Sequence, residues 1–256
     1  MPLASKTSVI ELLVRERLRN LDDRAPGLKT SSRICIAGHI ISLAGLFPVL
    51  MLELSGVFRA GGLSNTGVAV LGILSIIAIG IAAIATIISA VFNRLSMYCA
   101  LRMLADIEAA IAISRSRQAR GGIGNFLDLV PFSILIPPGD LISVALFLVL
   151  IRSNTDHLAQ QQGVDFQKSE LAFGIGATLQ YAAFLLLVYA CPFSGSSNVL
   201  TFGLGLAWHA ITLIGVICVE WSSQTMHKEI AEFVIQVCRH QAPQSPSPLN
   251  DLNESI

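Results

Sequence analysis

The stretch VAVLGILSIIAIGIAAIATIISAVF, residues 68–92, runs for 25 residues without an Asp, Glu, Lys or Arg. A hydrocarbon core about 30 Å thick needs about 20 helical residues to cross it, so this stretch is long enough to do so. Three more uncharged stretches of comparable length lie at Ile34–Leu52, Leu171–Cys191 and Val199–Val219. In lipid no water is present to take up an unpaired N–H or C=O, so each must be a helix. Their combined weight explains the composition. Of the 256 residues 53% are hydrophobic and only 13% charged, with a mean hydropathy of +0.67. A water-soluble body of this size needs more polar side chains than that to cover its surface. The class is an all-α, polytopic integral membrane helical bundle.

A fifth apolar stretch, residues 126–151, does not read as a single span. It holds Asp128 and Pro131, and Pro137-Pro138-Gly139-Asp140 stands at its middle. Two prolines remove two amide donors and clash with the preceding turn. What remains is two pieces of about eleven residues, each about 16 Å long. The expectation is a Pro-broken central segment, re-entrant or sharply kinked.

Basic residues collect on the cytoplasmic flanks of spans. With the broken segment re-entrant, four spans put sixteen of the seventeen Lys and Arg on one side and leave only Arg59 on the other. Five spans divide them twelve to five. Four spans, arranged as two hairpins with a cytoplasmic N-terminus, are therefore expected. The hairpins share a weak duplication: Gly62–Gly72 and Gly195–Gly205 agree at five of eleven positions, each on entry to the second span of its pair. No short apolar core with a small-residue cleavage site precedes the first span, so no removable signal peptide is expected.

The chain divides into a cytoplasmic amphipathic helix and basic flank (1–33), a first transmembrane hairpin (34–92) and a cytoplasmic helical connector (93–125). The broken segment (126–151), a polar loop (152–170) and a second hairpin (171–220) follow, then an amphipathic helix (221–240) and a disordered Pro/Ser/Asn tail (241–256). In the first of these, Ser8 and Glu11 form a capping box, and Ile10, Leu13, Leu18 and Leu21 fall near one helical face. That face has two equally good destinations: an anionic membrane surface, or the ends of the chain's own spans.

Polar groups within hydrocarbon are costly to keep there, which makes them the candidates for function. Asp140, His39 and His209 form the candidate intramembrane polar site. Asp140 stands where a half-helix would begin and reads first as its cap. It would otherwise contribute to an ion or solute site on a broken helix, of the kind carriers use. His39 and His209 each read first as donors of one interhelical hydrogen bond. The five cysteines show no C-x-x-C and no metal-ligand spacing, so no metal or cofactor is expected. Cys99 and Cys238 lie on amphipathic stretches and are candidates for palmitoylation. Ala78, Ala82, Thr86 and Ala90 recur at every fourth position and form a candidate helix-packing seam, as do Gly203, Gly205 and Ala207 in the last span.

Hydrolase, P-loop and dinucleotide motifs are missing, and no basic patch with interleaved aromatics points to nucleic acid. The leading expectation is a non-enzymatic membrane protein acting through assembly: a scaffold, an accessory subunit or a membrane-organising factor. Its expected partners are the lipid bilayer and other membrane proteins or further copies of itself. A small-solute or ion carrier built around Asp140 is the alternative. A membrane-embedded enzyme of a lipid-soluble substrate, using Asp140, His209 and Glu220, ranks third.

Overall fold

The uncharged runs fold as continuous helices that reach well past the hydrocarbon. In a computed structural model of the chain, residues 4–56, 65–114, 142–146, 148–149, 167–190 and 198–241 are described. They form α1 (Ala4–Leu54), α2 (Asn65–Ser114), α3 (Gln167–Ala190) and α4 (Asn198–Gln241), with helical residues also at 142–146 and 148–149. No strand occurs among the described residues. All four helices are long and apolar enough to cross a membrane. The chain is an all-α, multi-pass membrane protein.

Residues 126–141 of the broken segment, Asp140 with them, lie outside the described residues, as does the tail after Gln241. α2 and α4 both begin at the asparagine of the duplicated stretch, Asn65 and Asn198. At the far end of α1, Gly56 takes a φ of 65°, a left-handed conformation that glycine adopts without steric cost.

α1 packs along α2, α3 packs along α4, and α4 joins the two pairs by packing chiefly on α1. Both hairpins are antiparallel. Contacts at Gly27 with Cys99, Ser32 with Ser96, and Gly45 with Ala78 show residue numbers rising along α1 as they fall along α2. α4 also runs against α1, since His39 meets His209 and Asp22 meets His227. α2 and α4 therefore run in the same direction.

At 1.5 Å per residue, the 51 residues of α1 span about 77 Å, the 50 of α2 about 75 Å and the 44 of α4 about 66 Å. Each is more than twice the hydrocarbon thickness. The excess lies on one side, where α1, α2 and α4 continue together as a projection. Of the two destinations open to the amphipathic flank, the structure takes the packed one from Val14 to Leu21, where Val14, Leu18 and Leu21 are buried, although Leu13 of the expected face is 42% exposed. Leu21, Leu28, Leu101, Leu104 and Met226 are all at most 1% exposed and form the interior of this projection. Each such side chain withdrawn from water contributes about 1.5–3 kcal/mol. α1 passes through Pro26 and Pro48 without ending. Proline has no amide hydrogen, so the carbonyls of Asp22 and Ala44 lose their usual donor at these points.

The projection also encloses charge. Asp106 is 4% exposed. Arg17 Nη1 donates to its Oδ1 at 3.3 Å, and Arg24 Nη1 stands 2.8 Å from its Oδ2. The second contact is an ion pair by proximity whose alignment falls outside the hydrogen-bonding range. A carboxylate withdrawn from water needs such company to remain charged. His227 Nε2 lies 3.1 Å from Asp22 Oδ1 and brings α4 onto α1 at the same level.

Within the hydrocarbon the helices meet by a different rule. A Cβ added to Gly38 would overlap the Ser89 hydroxyl and stand 3.0 Å from the Ala85 carbonyl, and one on Gly45 would stand 3.0 Å from the Ala78 carbonyl. In the second hairpin Gly176 and Gly215 face each other, each within 3 Å of the other's carbonyl oxygen by the same measure. Lipid gives little hydrophobic drive for helix association, so glycine's missing side chain is what lets backbones close up. The outward faces are bare and apolar, with Ile76, Ile84 and Ile87 of α2 each more than 60% exposed.

The two packing rules make separable predictions. Leu104→Ala should lower the unfolding free energy by about 3 kcal/mol, as a buried leucine in a water-facing core does. Ile84→Ala, on the lipid face, should change it by less than about 0.5 kcal/mol. Unfolding in mixed micelles by graded denaturing detergent measures both.

Candidate functional site: a histidine pair between the hairpins

The inner face of α1 inside the membrane carries Cys35, Gly38, His39, Ser42 and Gly45, at helical spacings of three and four. Where glycine and serine keep the helices close, longer polar side chains on this face reach a neighbouring helix. His39 is fully buried and His209 on α4 is 2% exposed. Their Nδ1 atoms stand 2.9 Å apart. Thr86 of α2 joins them, its Oγ1 lying 3.2 Å from His209 Nε2. Ser42 completes the cluster, 3.1 Å from the Ala82 carbonyl and 3.2 Å from Thr86 Oγ1.

The tautomers of the two rings set the direction of donation along the cluster, because a neutral imidazole carries one N–H and one acceptor nitrogen. The Thr86 hydroxyl also lies 2.7 Å from the Ala82 carbonyl and can donate to it. With the two Nδ1 atoms engaged with each other, His39 Nε2 is the ring nitrogen left over; it is buried and has no partner. Trp208, next to His209 on α4, sets its ring edge-to-face with both imidazoles, at centroid distances of 5.6 Å from His39 and 4.6 Å from His209.

Chemically the cluster is a short chain of amphoteric groups ending in one unpartnered ring nitrogen. Two imidazoles and two hydroxyls can pass or share protons, and the hydroxyl beside His209, that of Thr86, also lies within reach of the Ala82 carbonyl. Among the described residues no three His, Cys, Asp or Glu side chains come together in a way that could hold a metal. His209 and Glu220 do not meet. The Glu220 carboxylate accepts instead from the Gln224 side-chain amide at 3.0 Å.

The structure thus brings together two of the three polar candidates, His39 and His209, and Asp140 is not among the described residues. Ser42 and Trp208 belong to the cluster and were not singled out in the sequence. The signals were there: Ser42 follows His39 by one turn, and Trp208 adjoins His209. Of the seam, Ala82 is 1% exposed and Ala78 is half-buried against Gly45, while Thr86 turns to His209 and Ala90 is exposed. In the last span Gly203 has open space around it and Gly215 makes the close contact. Cys99 is a half-buried free thiol against α1 at Gly27. Cys238 lies on α4, where its side chain is outside the described residues.

Comparison with known proteins places no relative beside this chain: no family model, no curated protein and no solved structure matches it.

A double-mutant cycle on the pair separates a working hydrogen bond from mere proximity. His39→Leu and His209→Leu should each lower the unfolding free energy, and the double variant should lose less than the sum. The coupling should be about 0.6–1.7 kcal/mol, the range of interhelical hydrogen bonds in lipid.

Proposed function

We propose that this chain is a non-enzymatic multi-pass membrane protein that acts through assembly, as a scaffold, an accessory subunit or a membrane-organising factor. The observation that supports this reading is the projection. Crossing the membrane needs about 20 residues per helix, and α1, α2 and α4 each continue far beyond that into a shared core in which the buried Asp106 carboxylate meets two half-exposed arginines. Such a core orders many residues, and the ordering entropy must be offset by packing. A rigid helical surface held clear of the bilayer offers a partner what a loop cannot, a contact face that loses little freedom on binding. Leu12 and Leu13, 69% and 42% exposed on the projecting part of α1, give that face an apolar feature in water. On this reading the projection lies on the cytoplasmic side, where basic flanks collect.

Extraction into native nanodiscs with the surrounding lipid, followed by particle mass measurement, tests the proposal. Particles should carry more protein mass than one 27.4 kDa chain. Leu12→Arg with Leu13→Arg should reduce them to the single chain, leaving insertion and thermal midpoint unchanged. Single chains from the unaltered protein would overturn it.

A carrier built around Asp140 remains the second reading, favoured by the buried, unpartnered Nε2 of His39 beside His209. On that reading Asp140→Asn abolishes ion or solute flux in reconstituted vesicles. On the assembly reading it leaves particle mass and stability as they were, because asparagine also caps a helix.

A further inference from the structure

α1 and α2 face each other with matched rows of polar side chains. On α1, Ser32, Cys35, His39 and Ser42 follow at steps of three, four and three, and each is 0% exposed. On α2, Thr86, Ser89, Asn93 and Ser96 repeat those steps, which keep a row on one side of a helix that turns once in 3.6 residues. The helices are antiparallel, so the rows run side by side for about 15 Å. Contacts mark both ends: Ser32 Oγ lies 2.7 Å from Ser96 Oγ, and Ser42 Oγ lies 3.2 Å from Thr86 Oγ1. Ser32 and Ser96 stand just outside the uncharged runs, where the projection begins, and Thr86 touches His209. Past the histidine pair the rows turn apolar, with Gly45, Leu46 and Val49 on α1 and Ala82, Ile79 and Ala78 on α2 before Ser75.

Counting hydrogens shows what the pair can take up. Two neutral imidazoles carry two hydrogens on four ring nitrogens. One hydrogen lies between the facing Nδ1 atoms, 2.9 Å apart. The other sits on one of the two Nε2 atoms, according to the tautomers. An added proton fills the remaining Nε2, so both tautomer sets converge on one cation. In that cation His209 Nε2–H donates to Thr86 Oγ1, whose own hydrogen is taken by the Ala82 carbonyl. A second added proton would set two N–H groups against each other across the Nδ1 contact, and the pair would have to part. No Asp, Glu, Lys or Arg lies in the uncharged runs of α1, α2 and α4 to offset further charge. Their other ionisable groups are Cys35, one turn from His39, and Cys218, nine residues from His209. On α3, Tyr181 lies near the level of His209, by the register that joins Gly176 to Gly215, and stacks on Phe184.

We infer that the histidine pair is a binding site for a single proton, held in common by the two rings and reached from the side of the projection along the polar rows. Hydronium in the water around the projection supplies the proton and is left as water. One N–H bond forms at an Nε2 atom, and no covalent bond of the protein breaks. Sharing holds the charge in place, because the cationic ring donates a charge-assisted hydrogen bond to the neutral one. Unpartnered buried atoms fall at both ends of the route: His39 Nε2 at the inner end and Asn93 Oδ1 toward the outer. An ionisable side chain kept in hydrocarbon marks a proton or ion pathway more often than a structural contact. The inference is independent of the assembly reading and does not involve Asp140.

Nitrogen-15 solid-state NMR of the full chain, labelled at histidine and held in lipid bilayers, tests the count. The signals of the pair are those lost in His39→Gln and His209→Gln. Between about pH 8 and about pH 4, both rings of the unaltered protein should change at one common midpoint. At the acid end three of their four nitrogens should carry hydrogen. The route is tested by a laser-triggered proton jump, read from the fluorescence of Trp208, which a neighbouring imidazolium quenches. Trp221→Phe removes the other tryptophan of the chain. Asn93→Leu should slow quenching by about tenfold and leave the midpoint where it was, whereas Ser75→Ala, beyond the pair, should leave the rate unchanged. Ser32→Ala with Ser96→Ala replaces Asn93→Leu if that variant loses its thermal midpoint. No protonation of the pair, separate midpoints for the two rings, a second proton taken up, or an unslowed rate in the row variants would each overturn the inference.

Discussion

Backbone pairing in hydrocarbon is the constraint on which this architecture rests. A buried amide without a partner costs several kcal/mol in a medium that offers no water, so every uncharged run must close its own hydrogen bonds as a helix. Once such a helix has formed, extending it costs little, because each added residue gains a bond as it is ordered. α1, α2 and α4 follow that course and leave the bilayer still helical. One set of helices then has to pack in two solvents.

The two solvents select different side chains. In water, apolar surface is expelled, and the projection answers with Leu21, Leu28, Leu101 and Leu104 in a common interior. In lipid, leucine is as well solvated outside the bundle as inside it, so contact relies on shape and on polar groups. Gly38, Gly45, Gly176 and Gly215 supply the shape. The polar groups are economical: Ser89, Thr86 and Thr212 return their hydroxyl hydrogens to carbonyls four residues earlier on their own helices. Only a few reach across. The histidine pair is the most consequential of these, because it links α1 to α4 and so ties one hairpin to the other.

The helix-packing seam shows how far spacing alone can be read. Ala78, Ala82, Thr86 and Ala90 repeat every four residues, but a helix turns once in 3.6. Each step therefore drifts by about 40°, and the fourth member has rotated about 120° from the first. Ala90 accordingly faces outward. The residues that line the contact with α1 are Ala78, Ala82, Ala85 and Ser89, whose alternating steps of four and three cancel the drift. The Asp106 ion pair is hidden from such reasoning altogether. Asp106 and Arg17 are 89 residues apart, and no periodicity on either helix says which of the surrounding charges turns inward.

The sequence by itself determined the class of the protein and its four long apolar helices, because hydrophobic length is a local property. It also marked His39 and His209 as costly residues to keep in lipid. Only the tertiary structure decided that these two meet and that the amphipathic flank, through Val14, Leu18 and Leu21, packs on its own chain. Those outcomes depend on the register between helices, which close backbone contacts at particular glycines set, and such contacts exist only once the helices lie side by side.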